Sequence, residues 1–166
     1  MPHTLPDLNA LSVVEFTAAL GAVFEHSPWI AERTAARRPF ASLDALHAAM
    51  CETVDRATTV EQLALIRAHP DLVGRIVLTA ESKGEQAAAG LTDLPEEEVA
   101  RFDRYNREYK TRFGFPFVIC ARLNKKDAIL DAFPVRLQNS AETERTTALA
   151  EIYKIARLRL ADLIPT

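Results

Sequence analysis

Along most of this chain the apolar residues return every three or four positions, the period of a helix face, and the polar residues just before each run are helix starters. Ser12-Val13-Val14-Glu15 has the capping-box pattern, in which a hydroxyl and a carboxylate three residues later each satisfy a backbone N–H of the first turn. Phe16, Leu20 and Val23 follow on one face, which predicts a helix. Ser27-Pro28 reads as N-cap and first residue of a short helix that carries Trp29 and Ile30 and stops near Pro39. Ser42 opens another, striped by Leu43, Leu46, His47, Met50 and Val54. A second box, Thr58-Thr59-Val60-Glu61, opens a fourth that ends before Pro70, because the residue preceding proline is pushed out of the helical region.

A third box, Ser82-Lys83-Gly84-Glu85, predicts a helix closed by Gly90 as the residue after its C-cap. A longer amphipathic helix then runs from Pro95 to Phe113, with Val99, Phe102, Asn106, Tyr109 and Phe113 on one side and Gly114 closing it. Phe115 to Ala121 is the one apolar, β-prone stretch, either extended or a buried turn of helix. Asn124 is placed to cap a helix from Lys125 to Phe133, which Pro134 should kink or break. The last helix spans Ala141 to Leu163. The pattern is all-α, without repeats or linkers that would mark a boundary.

Length and charge narrow the field. At 166 residues the chain fits a single domain, 1–166, since domains of this size bury roughly 70% of their unfolded surface. With 48% hydrophobic and 26% charged residues it is an ordinary globular composition. A net charge of −3 argues against nucleic acid as a partner, which demands a basic footprint. Two cysteines, Cys51 and Cys120, allow neither a disulfide framework nor a cysteine-rich zinc site, and no apolar run is long enough to cross a bilayer. The opening MPHTLPDLNA has neither a basic start nor an apolar core, and the closing residues are not a peroxisomal signal, so a cytoplasmic protein without membrane partners is expected.

Three features stand out as candidate chemistry. In the last helix, measured at about 100° per residue from Arg159, Ile152 lies near 20°, Ile155 and Leu163 near 40° and Ala156 near 60°, whereas Arg157 is about 160° away. Arg159 therefore points with the apolar residues. A guanidinium there needs an anionic or carbonyl partner, either a structural carboxylate or a substrate. His69, in Arg67-Ala68-His69-Pro70-Asp71-Leu72, stands at a helix C-terminus, where the macrodipole and Asp71 favour the imidazolium. It is a general acid or base near neutrality, or a residue that satisfies orphan carbonyls. Ser82, Glu85 and Gln86 share one face of a helix N-terminus, suited to a polar ligand or to capping alone. His47 reads as a satisfied core histidine. Metal-ligand pairs, a Gly-rich phosphate loop and a Gly-x-Ser-x-Gly elbow are all absent from the sequence, so the expectation is chemistry without metal or cofactor.

These candidates join in a longer pattern. His69-Pro70-Asp71-Leu72 with Gly74-Arg75, then Leu78-Thr79-Ala80-Glu81-Ser82-x-x-Glu85-Gln86 with Ala89-Gly90-Leu91, resembles the 2-oxo-4-hydroxy-4-carboxy-5-ureidoimidazoline (OHCU) decarboxylase family of urate degradation. Asn106-x-x-Tyr109 leading to Phe113-Gly114-Phe115-Pro116-Phe117-Val118-Ile119-Cys120-Ala121 resembles a further block, and Glu151-Ile152-x-Lys154-Ile155-Ala156-x-Leu158-Arg159-Leu160 the C-terminal one. The resemblance implies a compact bundle of about eight helices, commonly a homodimer. It implies His69 and Glu85 as catalytic residues and Pro70, Ser82, Gln86, Phe117, Val118, Ile119, Cys120, Ala121 and Arg159 as substrate-binding ones. Two departures from the family pattern are visible: a short connection from Arg75 to Leu78, and Pro134 within a stretch expected to be helical.

The activity so implied is decarboxylation of OHCU, a small molecule, to (S)-allantoin and CO2. The substrate's own carbonyl and C=N system can take up the electrons left by CO2, so no cofactor is called for. Two rivals are a metal-free hydrolase of a ureido or cyclic amide in the same pathway, and a non-catalytic helical interaction module.

Overall fold

Short polar signals set where several of the helices begin. A computed structural model describes residues 2–74 and 78–165; among these there are nine α-helices, two 3₁₀ turns and no strand. Two compact units are formed, one of Met1–Ala68 with Tyr153–Thr166 and one of His69–Ile152.

The first unit holds α1 (Leu5–Ala10), α2 (Val13–Leu20), α3 (Trp29–Thr34), α4 (Leu43–Asp55), α5 (Thr59–Arg67) and the second half of α9 (Ala141–Leu163). Ser12 and Glu15 form the expected capping box of α2, and Thr58 and Glu61 that of α5. α1 escaped the sequence reading. It is only 6 residues long, and its box pairs Thr4 with Asp7 rather than with the longer Glu or Gln. Ser27 does not cap α3: Pro28 occupies the cap position and the Ser27 hydroxyl donates to the Glu25 carbonyl 2.9 Å away. α3 packs against α2 and α4, and Phe16, Leu20, Ile30, Leu46, Met50, Val54, Leu65 and Ile66 make a core that is essentially inaccessible. His47 is satisfied as expected, its Nε2 lying 2.8 Å from the Tyr153 carbonyl.

The second unit holds α6 (Ala80–Ala88), α7 (Glu96–Phe113), α8 (Lys126–Arg136) and the first half of α9. Gly90 closes α6 at φ 79, with Leu91 N–H donating to Gln86 O and Gly90 N–H to Ala87 O, both at 3.0 Å, the paired bonds of a Schellman ending. Gly114 closes α7 at φ 77. Phe102, Phe117, Phe133 and Tyr109 form an aromatic core, Phe117 and Phe133 stacking at 3.8 Å between centroids.

Two expectations about α8 fail. Asn124 does not cap α8; Lys125 holds that position, and the Asn124 amide donates to the Cys120 carbonyl at 3.0 Å. Pro134 does not break the helix, which continues to Arg136. Proline removes one backbone donor, but Phe133 is locked in the aromatic core and Arg136 is anchored beyond it, so tertiary bonds on both sides outweigh the local loss. Among the described residues no helix is long and apolar enough to cross a membrane.

Candidate active site

All but one of the predicted site residues belong to the second unit. α5 ends at Arg67 with Ala68 as C-cap, and Pro70 cannot extend it, so His69 begins a turn over residues 69–74. The imidazole is buried, with 8% of His69 exposed. Asp71, expected to act on it, has its Oδ2 2.7 Å from the Lys110 ammonium. Arg75 of the motif, with most of the short connection that follows, lies outside the described residues.

α6 begins three residues earlier than its sequence box suggests. Thr79 is the N-cap, its hydroxyl accepting the Ser82 N–H at 3.2 Å, so Ser82 is the third helical residue and not the cap. A hydroxyl at both ends of Thr79-x-x-Ser82, without the acidic partner, hid the true start. Ser82 thus lies inside the first turn of α6 on the face it shares with Glu85 and Gln86; Ser82 and Gln86 are buried and Glu85 half-buried. Gln86 reaches the His69 turn, with Oε1 accepting the Val73 N–H at 3.1 Å and Nε2 donating to the Asp71 carbonyl at 3.3 Å.

The stretch from Phe115 to Ala121 is irregular, then enters a 3₁₀ turn at Ala121–Leu123 against which α6 packs. A buried irregular backbone must find partners for its polar groups. The Val118 carbonyl accepts from Arg136 at 2.6 Å, the Cys120 N–H donates to Glu151 at 3.1 Å, and the Cys120 carbonyl accepts from Asn124. Burial pushes the Cys120 thiol above its ordinary value, and the carboxylates of Glu151 and Glu85 add to the push. Both cysteines are poor nucleophiles: burial, with Asp55 adding, lifts Cys51 to about 12. Among the described residues no group of three His, Cys, Asp or Glu side chains could hold a metal ion.

Arg159 lies in the first unit. Its Nη2 is 2.9 Å from the Glu25 carboxylate, and Nη1 donates to the Ala22 carbonyl at 3.1 Å. Both side chains are buried, so the guanidinium on the apolar stripe does have a structural carboxylate. Sequence reasoning missed Glu151, Asn106 and Arg136, each of which grips the backbone around the predicted site.

A family model described as OHCU decarboxylase matches residues 9–161. The chain belongs to the OHCU decarboxylase family. It is 45% identical over 159 residues to the 2-oxo-4-hydroxy-4-carboxy-5-ureidoimidazoline decarboxylase of Haloferax volcanii, covering 96% of this chain and 95% of that one. To the protein of the same name from Amia calva it is 46% identical over 161 residues, covering 95% and 92% respectively. Among solved structures, a crystal structure of (S)-allantoin synthase superposes with a TM-score of 0.82 at 30% identity, covering 99% of this chain and 55% of that chain. OHCU decarboxylase relatives thus match nearly end to end, through all the blocks that carry His69, Glu85 and Arg159.

Proposed function

We propose that the chain decarboxylates OHCU to (S)-allantoin and CO2 in urate degradation. The observation that carries this is the match to OHCU decarboxylases over 159 residues at 45% identity, spanning every block of the site. In the reaction the bond from the hydroxyl-bearing ring carbon to the carboxylate breaks, CO2 leaves, and its electron pair enters the adjacent C=N; the hydroxyl then gives up its proton to become a ring carbonyl, while the neighbouring carbon that bears the ureido group and the ring nitrogen each take up a proton. Stabilising the developing charge and delivering the proton to one face are the tasks left to the protein.

His69 orients the carboxylate or hydroxyl and exchanges the proton, while Glu85 sets the histidine's charge or shares the proton work. Ser82 and Gln86 hold the ureido group. Gln86 also holds the His69 turn, and an amide has a second N–H and a second lone pair with which to serve both. Pro70 and the backbone from Phe117 through Val118, Ile119 and Cys120 to Ala121 shape the site, and Arg159 binds the substrate's anionic part. The Cys120 N–H is committed to Glu151, so the backbone donors toward substrate come from its neighbours. The whole chain works as one catalytic domain, a cytoplasmic homodimer.

Freshly generated OHCU supplied to purified protein tests the reading. Accelerated loss of the intermediate with CO2 release and a single allantoin enantiomer is expected; loss without CO2 points to a hydrolase, and decay at the spontaneous pace to a non-catalytic module. His69→Asn should lower kcat/KM by about 10²–10⁴-fold with the helical circular dichroism unchanged.

A further inference from the structure

The turn that carries His69 is held in an unfavourable state by bonds from two helices. Val73 sits at φ 58, in the left-handed region that a β-branched residue rarely enters. Gly74 folds back so closely on Asp71 that an added Cβ would lie 3.1 Å from the Asp71 Cβ and 3.2 Å from its carbonyl oxygen. Against this, Gln86 of α6 grips the turn at Asp71 and Val73. From α7, Asn106 Nδ2 donates to the Leu72 carbonyl at 2.8 Å, and Lys110, one helical turn on, pairs with Asp71.

Asn106 is costly where it stands. Only 5% of it is exposed, and its Oδ1 is buried without a hydrogen-bond partner. A buried unsatisfied acceptor destabilises, so an apolar residue of similar size would serve the core of α7 better. What the amide supplies that an apolar residue cannot is the single donor to Leu72. We infer that Asn106 and Lys110 are positioning residues for the reaction, fixing the 69–74 turn from α7 and thereby aiming the His69 imidazole. This rests on the reading of His69 as a catalytic residue.

The test places Asn106→Ala and Lys110→Met in the wild-type and His69→Asn backgrounds, with the His69 ring signals followed by NMR. Each variant should lower kcat with KM little changed, Asn106→Ala by about 10²-fold, the scale of a reacting group displaced by about 1 Å. In the His69→Asn background neither should slow the residual rate further, and in the wild-type background the His69 ring signals should shift or broaden. Equal fold-losses in both backgrounds, or unmoved ring signals, overturn the inference. Lys110 is half-exposed, so Lys110→Met carries the same test if Asn106→Ala fails to fold. If His69→Asn itself keeps the wild-type rate, the catalytic reading of His69 falls, and the ring signals still decide whether Asn106 and Lys110 fix the imidazole.

Discussion

Among the described residues each unit buries an arginine against a glutamate, and the two pairs are built differently. In the second unit the Arg136 Nε donates to Glu144 at 2.7 Å, Nη1 reaches the Val118 carbonyl, and the guanidinium lies 4.1 Å over the Phe117 ring. Glu144 accepts in addition from Tyr109 at 2.5 Å and Asn139 at 2.9 Å, so α7, α8 and α9 meet on one carboxylate. Burial, together with that carboxylate, drives the Tyr109 phenol above its ordinary range and keeps it a donor. In the first unit Arg159 ties α9 to the segment between α2 and α3, through Glu25 and the Ala22 carbonyl. One pair is the hub of a core; the other clips a turn to a helix. An arginine on an apolar face therefore does not by itself announce a substrate, because both have a buried carboxylate. The distinction has to come from what each substitution does to rate and to stability.

The largest effect should come from breaking the hub. Arg136→Met leaves Glu144 buried with its charge uncompensated and removes a partner of Val118, and should cost about 3–5 kcal/mol in denaturant unfolding. Arg136→Met with Glu144→Leu should recover much of that loss, since a buried pair replaced by apolar residues is often close to neutral. A single variant as stable as the wild type would show that the hub contributes nothing the aromatic core does not already supply.

Arg159→Lys sharpens the comparison from the other side. Lysine keeps the positive charge beside Glu25 but not the planar fork, so a purely structural clip should survive with nearly full activity. If Arg159 also binds substrate, kcat/KM should fall by about 10²-fold or more while the unfolding midpoint moves little. Unchanged kinetics would make the Glu25 bond its whole role.

Local rules were enough for most of the fold. The boxes at Ser12 and Thr58, the left-handed glycines at 90 and 114 and the limits of α9 all depend on neighbours within a few residues, so they are legible in the chain alone. What failed was decided at long range. Pro134 stays helical because Arg136 is held by partners 8 and 18 residues away. Ser82 was mistaken for a cap because the chain offers two hydroxyls three residues apart, and only the folded start of α6 chooses Thr79. At the site, His69, Glu85 and Arg159 could be nominated from residue type and family pattern. Asn106 and Glu151 stood in the family blocks without a role, because an amide or carboxylate that holds distant backbone looks like any other polar residue in an amphipathic helix.

The smallest effect belongs to an exposed pair, Arg33 with Glu61, which sets the scale against which the buried ones are judged. The Arg33 hydrogen bond, followed by the Thr58 backbone N–H, holds the Glu61 carboxyl down at about 2 from an ordinary 4.5. Because the folded value is the lower, the anion's contribution is complete above pH 4.5 and disappears as pH falls toward 2. Glu61→Gln should therefore lower the melting temperature slightly at neutral pH, and less in high salt, which screens exposed charges. The gap from wild type should close between pH 4.5 and about 2 in melts taken across that range. A gap that persists at the acid end would assign the contribution of Glu61 to packing at the start of α5 rather than to its charge.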